Sequence, residues 1–261
     1  MTAKANVLVS GCNGHMGQIL CRLIEESTDF QVLCGFDKEP SKEDNGFPIS
    51  PILDYVFDCD TPIPDIIIDF SSPAATMELL EYAKDLNIPI VIATTGFSEQ
   101  QEAKILEAAN TVPIFKSSNM EPKIALLKKT VRMLAPYLAD CDIEILETHH
   151  NRKKDAPSGT AILLANAIKE ALPDSEKKIV YGRTGKREQN EIGISSMRGG
   201  NIVGEHTIYF FGKSETLEFK HTAYSREGFA EGALNAARFL LARFLFEEPP
   251  RLYTIDDMIK M

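Results

Sequence analysis

A short apolar run at residues 6–9 ends in Ser10 and passes straight into Gly11-Cys12-Asn13-Gly14-His15-Met16-Gly17. No other stretch narrows the fold as much. Its length and glycine flank mark the run as a buried parallel strand. Ile19, Leu20, Leu23 and Ile24 then fall on one helical face. A strand that turns on glycines into a helix aims main-chain N–H groups and a helix N-terminus at one spot, which favours an anion such as a pyrophosphate. Further strands are expected at 31–36, 65–70, 89–93 and 112–115, with helices at 74–86 and 98–109. Strand, helix, strand in series implies crossover connections and a Rossmann-type, doubly wound parallel α/β sheet.

A dinucleotide needs more than a glycine turn. Asp37 ends the second strand, roughly 20 residues beyond the turn, where an acid can hydrogen-bond the ribose hydroxyls of NADH. Lys38 beside it is a partner for a 2′-phosphate, so NADPH is also accommodated. Two plainer readings stay open: a tight strand–helix turn with no ligand, and a solvated surface lysine. Thr94-Thr95-Gly96 lies past the fourth strand, at the strand end where open α/β sheets bind ligands. Ser98 and Gln101 make a capping box for the next helix, which is compatible with that role.

Composition removes other classes. A chain of 261 residues holds one large or two modest domains. With 28 Lys and Arg against 38 Asp and Glu, the net charge is −10, so there is no general attraction to nucleic acid or anionic membranes. Cysteines at 12, 21, 34, 59 and 141 are odd in number and form no CxxC, which supports neither a disulfide framework nor a metal site. The N-terminal residues lack a signal-peptide core, and no run approaches the ~20 apolar residues of a membrane span. A soluble cytoplasmic protein with reduced thiols is expected.

Past residue 120 the pattern changes. A helix is expected at 124–138, a half-buried strand at 142–148, a polar loop at 149–157 and a helix at 158–171. Alternating runs at 192–197, 202–211 and 216–221 imply an open mixed or antiparallel sheet. A long apolar helix at 228–246 is expected to pack back on the first sheet. The loop carries adjacent His149 and His150, then Arg152, Lys153 and Lys154, before Pro157-Ser158-Gly159-Thr160 opens the helix. Ser, Gly and Thr at a helix start offer hydroxyl and N–H donors to an anion. A small dicarboxylate suits this cradle, with the histidines and Lys153 available for proton transfer. A solvated basic loop with an ordinary cap is the plainer alternative.

These residues carry a resemblance. The stretch Glu147, His149, His150, Lys153, Asp155, Ala156, Pro157, Ser158, Gly159, Thr160 and Ala161 resembles the E-x-H-H-x-x-K-x-D-A-P-S-G-T-A signature of bacterial dihydrodipicolinate (4-hydroxy-tetrahydrodipicolinate) reductases. The likeness extends along the chain. The turn at 11–17 matches GxxGxMG, Asp69-Phe70 a third-strand DF, 94–97 TTGF, 198–206 RxGxIVGEH, and Arg226 with Phe229 S-R-x-x-F.

The resemblance implies an NAD(P)H-dependent reduction of 4-hydroxy-tetrahydrodipicolinate to tetrahydrodipicolinate, in lysine and diaminopimelate biosynthesis. It implies a dinucleotide-binding domain of residues 1–120 completed by 226–261. Residues 121–225 would form a substrate-binding domain with an open mixed sheet that builds a homotetramer. His149 is then the acid/base and Lys153 the proton donor, while His150, Ser158, Gly159 and Thr160 hold substrate. Gly11, Cys12, Asn13, Gly14, His15, Met16, Asp37, Lys38, Ala93, Thr94, Thr95, Ser117, Ser118, Asn119 and Met120 would contact NADH or NADPH, and no metal takes part. One departure stands out: the family's N-x-S-x-G-x-N is here Asn119-Met120-Glu121-Pro122-Lys123-Ile124-Ala125. Two rivals are a non-catalytic nicotinamide-binding or redox-sensing protein and a related Rossmann oxidoreductase of aspartate-family metabolism. Neither has a need for the dicarboxylate cradle.

Overall fold

In the computed structural model of the chain, residues 3–39, 46–51, 53, 62–172 and 177–259 are described. Two compact units are present: Met1–Glu121 with Glu227–Met261, and Pro122–Arg226.

The first unit is built on strands β1 (Ala5–Ser10), β2 (Phe30–Phe36), β3 (Ile49–Ser50), β4 (Ile66–Asp69), β5 (Ile90–Ile92) and β6 (Ile114–Lys116). Each pairs in parallel with its neighbours, and β12 (Leu252–Tyr253) joins at the far edge, giving the order β12-β6-β5-β4-β1-β2-β3. Val7, Val9, Ile67, Val91 and Ile92 are wholly buried because helices cover both faces of the sheet. Those helices are α1 (His15–Glu26), α2 (Pro73–Asp85), α3 (Glu99–Ala108) and α6 (Glu227–Leu245). The α1 stripe of Gly17, Leu20, Cys21 and Ile24 faces inward, as its periodicity requires. Ser72 caps α2 and Ser98 caps α3, the latter through the expected box with Gln101. The chain runs outward from β1 through β2 and β3, then returns to β4 on the other side. That reversal is the point at which open parallel sheets bind ligands, beyond the carboxyl ends of β1 and β4.

The second unit holds β7 (Asp142–His149), β8 (Lys178–Tyr181), β9 (Glu191–Arg198), β10 (Gly204–Phe211) and β11 (Thr216–Ala223), in the order β11-β10-β7-β9-β8. The sheet is mixed: β7 runs antiparallel to β10 and parallel to β9. Helices α4 (Pro122–Leu134) and α5 (Gly159–Ala171) cover one face. Register explains where chemistry can sit on that face. Ile143, Ile192 and Phe210 form one cross-strand row, and Ile145, Ile194 and Ile208 the next. Both rows are core. The third row is Glu147, Ser196 and His206, and the fourth begins with His149 and Arg198. One face thus changes from apolar to polar along the strands, next to the start of α5.

Differences from the sequence expectations have local causes. The α4 helix stops at Leu134 and continues as a 3-10 turn over Ala135–Leu138. Pro136 lacks an N–H and disfavours a helical residue before it. β10 starts at Gly204 rather than at residue 202, because Gly200 takes a positive φ of 50° in the preceding turn. Strands β3, β8 and β12 were not expected. Two of them are two-residue additions at sheet edges, and β8 is an exposed edge strand with no alternation. Tyr253 anchors β12 by packing edge-on against Phe239 at 5.6 Å. Cys59 and much of the proline-bearing stretch 37–64 lie outside the described residues.

Candidate active site

At the end of β1 the glycines have separate jobs. Gly11 has φ +75°, and a Cβ there would meet the Phe70 carbonyl oxygen at 2.4 Å. A Cβ on Gly17 would lie 2.1 Å from the Gly11 carbonyl oxygen, so only glycine lets α1 start this close to the turn. Gly14 is the N-cap of α1 with no side-chain cap, which leaves the helix start open. The Asp37 carboxylate accepts from Asn13 N at 2.9 Å, which locks the turn to the end of β2. Beside them lies a cavity of about 560 Å³, lined among others by Gly11, Asn13, Gly14, Asp37, Lys38 and Ser71. An open helix start, a glycine cradle and an acid at the cavity wall fit a dinucleotide.

The other predicted cofactor residues divide. His15 and Met16 stand in the first turn of α1, and Ala93, Thr94, Thr95, Ser117, Ser118 and Asn119 follow the carboxyl ends of β5 and β6. Cys12 is buried, and burial with the nearby Asp37 charge pushes its thiol up to about 11. Its side chain packs against β2, where a Cβ on Gly35 would lie 2.6 Å from its Sγ. Met120 is also buried, with its carbonyl against α6 where a Cβ on Gly232 would collide at 1.8 Å. Thr94 Oγ1 donates to buried Asp69 at 2.8 Å and accepts from Ser71 N at 2.9 Å. Thr76 and Ser71 hydroxyls donate to the same carboxyl. Burial still pushes the Asp69 carboxyl up. Asp69 thereby ties the ends of β4 and β5 together beside the cavity, a role that its DF motif alone does not reveal.

In the second unit, the signature segment folds around Glu147. Its side chain is fully buried at the end of the apolar rows. Oε2 accepts from His149 Nδ1 at 2.5 Å and from Arg198 Nη1 at 2.8 Å. Oε1 accepts from Arg198 Nη2 at 2.7 Å and from Ser158 N at 3.1 Å. Burial opposes the charge, but hydrogen bonds from His149, Arg198 and Ser196 outweigh it and hold the carboxyl well below the usual carboxylate range. Residues 147 and 149 share a face of β7 because side chains alternate along a strand. His150 points the other way, and its Nε2 lies 3.3 Å from Arg226 Nη2. Burial, together with Arg152 and Arg226, pushes the His150 imidazole down.

Ser158 N-caps α5, and its Oγ accepts from Ala161 N at 3.2 Å. The same Oγ meets His206 Nε2 at 2.9 Å. Ser158 is 2% exposed with its N–H on Glu147, so it shapes the helix start from within. Gly159 is exposed with open space over its Cα, and Thr160 is half-buried beside it. Lys153 Nζ pairs with Asp155 at 2.9 Å, and its N–H donates to the His150 carbonyl. Arg198 also donates to the Asp155 carbonyl at 2.6 Å, tying the loop to β9. Burial, reinforced by His149, pushes His206 down to about 3. Its ring stands edge-on to that of His149 at 5.1 Å.

Glu147, Arg198 and His206 complete the polar cluster around the signature segment, and the sequence reading gives none of them a role. The signal for Glu147 was its period-two spacing from His149. Arg198 and His206 stand at the two ends of the RxGxIVGEH match, but nothing along the chain ties either to Glu147, because register alone brings β9 and β10 to this row. Among the described residues, no group of His, Cys, Asp or Glu is arranged to hold a metal, and no helix is long and apolar enough to cross a membrane.

Comparison with known proteins matches both units. Residues 5–120 fit the family model described as dihydrodipicolinate reductase, N-terminus, and 123–259 the one described as dihydrodipicolinate reductase, C-terminus. A 4-hydroxy-tetrahydrodipicolinate reductase of Caldanaerobacter subterraneus subsp. tengcongensis is 44% identical, over 97% of this chain and 98% of its own. The protein of the same name from Clostridium novyi is 43% identical over the same shares. The fold is similar to that of a dipicolinate-bound dihydrodipicolinate reductase from Paenisporosarcina sp. TG-14. The TM-score is 0.78 at 24% identity, covering 98% of this chain and all of that one.

Proposed function

The chain belongs to the dihydrodipicolinate reductase family, and from that premise we propose how its residues perform the reaction. It is an oxidoreductase that reduces 4-hydroxy-tetrahydrodipicolinate to tetrahydrodipicolinate in lysine biosynthesis. A reduced nicotinamide supplies the hydride, and NADH and NADPH both serve. Hydride and one proton enter, and the ring hydroxyl leaves as water.

The observation that carries the assignment of roles is the fold of the signature segment: His149 and the start of α5 both bond one buried carboxylate, and Lys153 lies in the loop between them, paired with Asp155. The substrate's carboxylates bind at Gly159, Thr160 and His150, where the helix start and Arg226 supply positive potential. Ser158 holds that helix start in place through Glu147 and His206. Lys153 gives up the proton, and His149 acts as acid/base at Nε2. In the first unit, the turn at 11–17 and Thr95 bind the dinucleotide, with Asp37 on the ribose and Lys38 placed for a 2′-phosphate.

The dinucleotide domain comprises 1–120 with 226–261, and 121–225 carry substrate binding and assembly. A homotetramer is the assembly we propose. The uncovered face of the second sheet supports it, with Met197 50% and Phe211 41% exposed there beside Tyr209. Initial rates with fresh substrate and each cofactor test the function. Oxidation of both cofactors, inhibited competitively by pyridine-2,6-dicarboxylate, is expected. Binding of NADH without its oxidation would refute the reading.

A further inference from the structure

We propose that Glu147 is a positioning residue that decides which nitrogen of His149 carries the proton, and so keeps Nε2 as the atom that exchanges protons with the reaction. The proposal rests on the reading of His149 as acid/base and extends it to a residue that touches neither substrate nor cofactor.

The argument is a count of donors. A carboxylate can only accept. Glu147 accepts from both Nη atoms of Arg198 and from Ser158 N–H, none of which can be anything but a donor, and the Ser196 hydroxyl hydrogen-bonds the same carboxylate. His149 Nδ1 lies 2.5 Å from Oε2, so it too must bear a hydrogen. The neutral ring is then the Nδ1–H form, with its lone pair on Nε2.

The opposite side of the ring agrees. A Cβ placed on Gly204 of β10 would lie 3.1 Å from His149 Nε2, closer than to any other atom of that ring. Gly204 has no positive φ that would demand glycine. What the position requires is the absence of a side chain, and the atom it uncovers is Nε2. The other charged or titratable groups around His149 are Arg198 on β9 and His206 on β10, with His150 next in the chain on the opposite face. His206 is engaged with Ser158 and Arg198 with Glu147, so Glu147 is the partner that holds Nδ1.

Glu147→Gln makes this falsifiable. The amide NH₂ must replace one oxygen. At the Oε1 position it would face Arg198 Nη2 and Ser158 N–H, two donors that cannot adapt. At the Oε2 position it faces Arg198 Nη1 and His149 Nδ1, and the imidazole can adapt by moving its proton to Nε2. The variant should therefore switch the tautomer. With the full chain labelled with ¹⁵N in its five histidines, the His149 signals are identified by their loss in His149→Gln. At alkaline pH the unaltered protein should show Nδ1–H, and Glu147→Gln should show Nε2–H. The kcat of Glu147→Gln should fall by roughly 10²–10⁴ with KM little changed, the scale of general acid–base catalysis.

Gly204→Ala should lower kcat while leaving the Nδ1–H signature intact. An Nε2–H ring in the unaltered protein would overturn the proposal, as would one tautomer common to both. A switched tautomer with undiminished kcat would uphold the grip of Glu147 and defeat the acid/base reading of His149. If Glu147→Gln does not fold, the spectrum of the unaltered chain and the kcat of Gly204→Ala decide the matter.

Discussion

Replacing Arg198 with Met asks how much of the second unit's stability depends on one buried carboxylate. Glu147 is wholly buried and accepts two hydrogen bonds from Arg198, at 2.8 and 2.7 Å. Methionine keeps the aliphatic stem and removes both donors, leaving His149, Ser158 and Ser196. Hydrogen bonds to charged groups are worth about 1.5–3 kcal/mol each, and stripping one partner from a buried ion pair costs about 3–5 kcal/mol. A loss of about 3–5 kcal/mol near neutral pH is therefore expected. The sign of the pH dependence follows from Glu147, whose folded carboxyl lies below its unfolded value. A depressed carboxyl stabilises above the unfolded pKa of about 4.3, and that contribution is lost as pH falls through the folded value. The variant loses the Arg198 share of that contribution, so the gap between the two proteins should be widest above about pH 5 and shrink in acid. Urea unfolding followed by far-ultraviolet circular dichroism suits a chain with no Trp. Glu147→Gln added to Arg198→Met should restore part of the loss, because no uncompensated charge remains. A loss under about 1 kcal/mol at neutral pH, or a gap that widens in acid, would refute the reasoning.

Three further outcomes are expected. His149→Ala and Lys153→Ala should each lower kcat by roughly 10²–10⁴ in steady-state assays, and unchanged turnover in both would remove their assigned roles. Gly17→Ala places a Cβ against main-chain atoms at 2.1 and 2.6 Å that cannot yield separately. It should destabilise by about 1–3 kcal/mol and weaken NADH binding measured by calorimetry. His206→Gln should flatten the acid limb of stability. The wild-type imidazole sits at about 3 in the fold against 6.5 unfolded, so its contribution is complete above 6.5 and drains away as pH falls towards 3. Between about pH 6.5 and pH 5 the wild type should lose roughly 1–2 kcal/mol that the variant keeps, measured by urea unfolding at each pH.

Much of the molecule can be read along the chain because local physics writes it there. A parallel strand buried on both faces must be continuously apolar, as Ile66-Ile67-Ile68 is, and a helix on a sheet must show a stripe, as α1 does. The positive φ at Gly11 and the close approach at Gly17 admit only glycine, so the turn announces itself. The signature from Glu147 to Ala161 is contiguous, and its residues are legible as a set. Edge strands are not legible in this way. β12 has two residues and depends on Tyr253 meeting Phe239, a contact that no local propensity encodes.

The residue types available for chemistry, and the helix start proposed to receive an anion, follow from order along the chain. Which of them are spent holding others is settled by folding. Ser158 is an anion donor on paper, yet its N–H and Oγ are committed to Glu147, Ala161 and His206. Arg198 reaches Glu147 across 51 residues, and His206 reaches Ser158 across 48. Those meetings come from strand register in a mixed sheet. The reason is that a hydrogen bond depends on distance and direction in space, and separation along the chain carries neither.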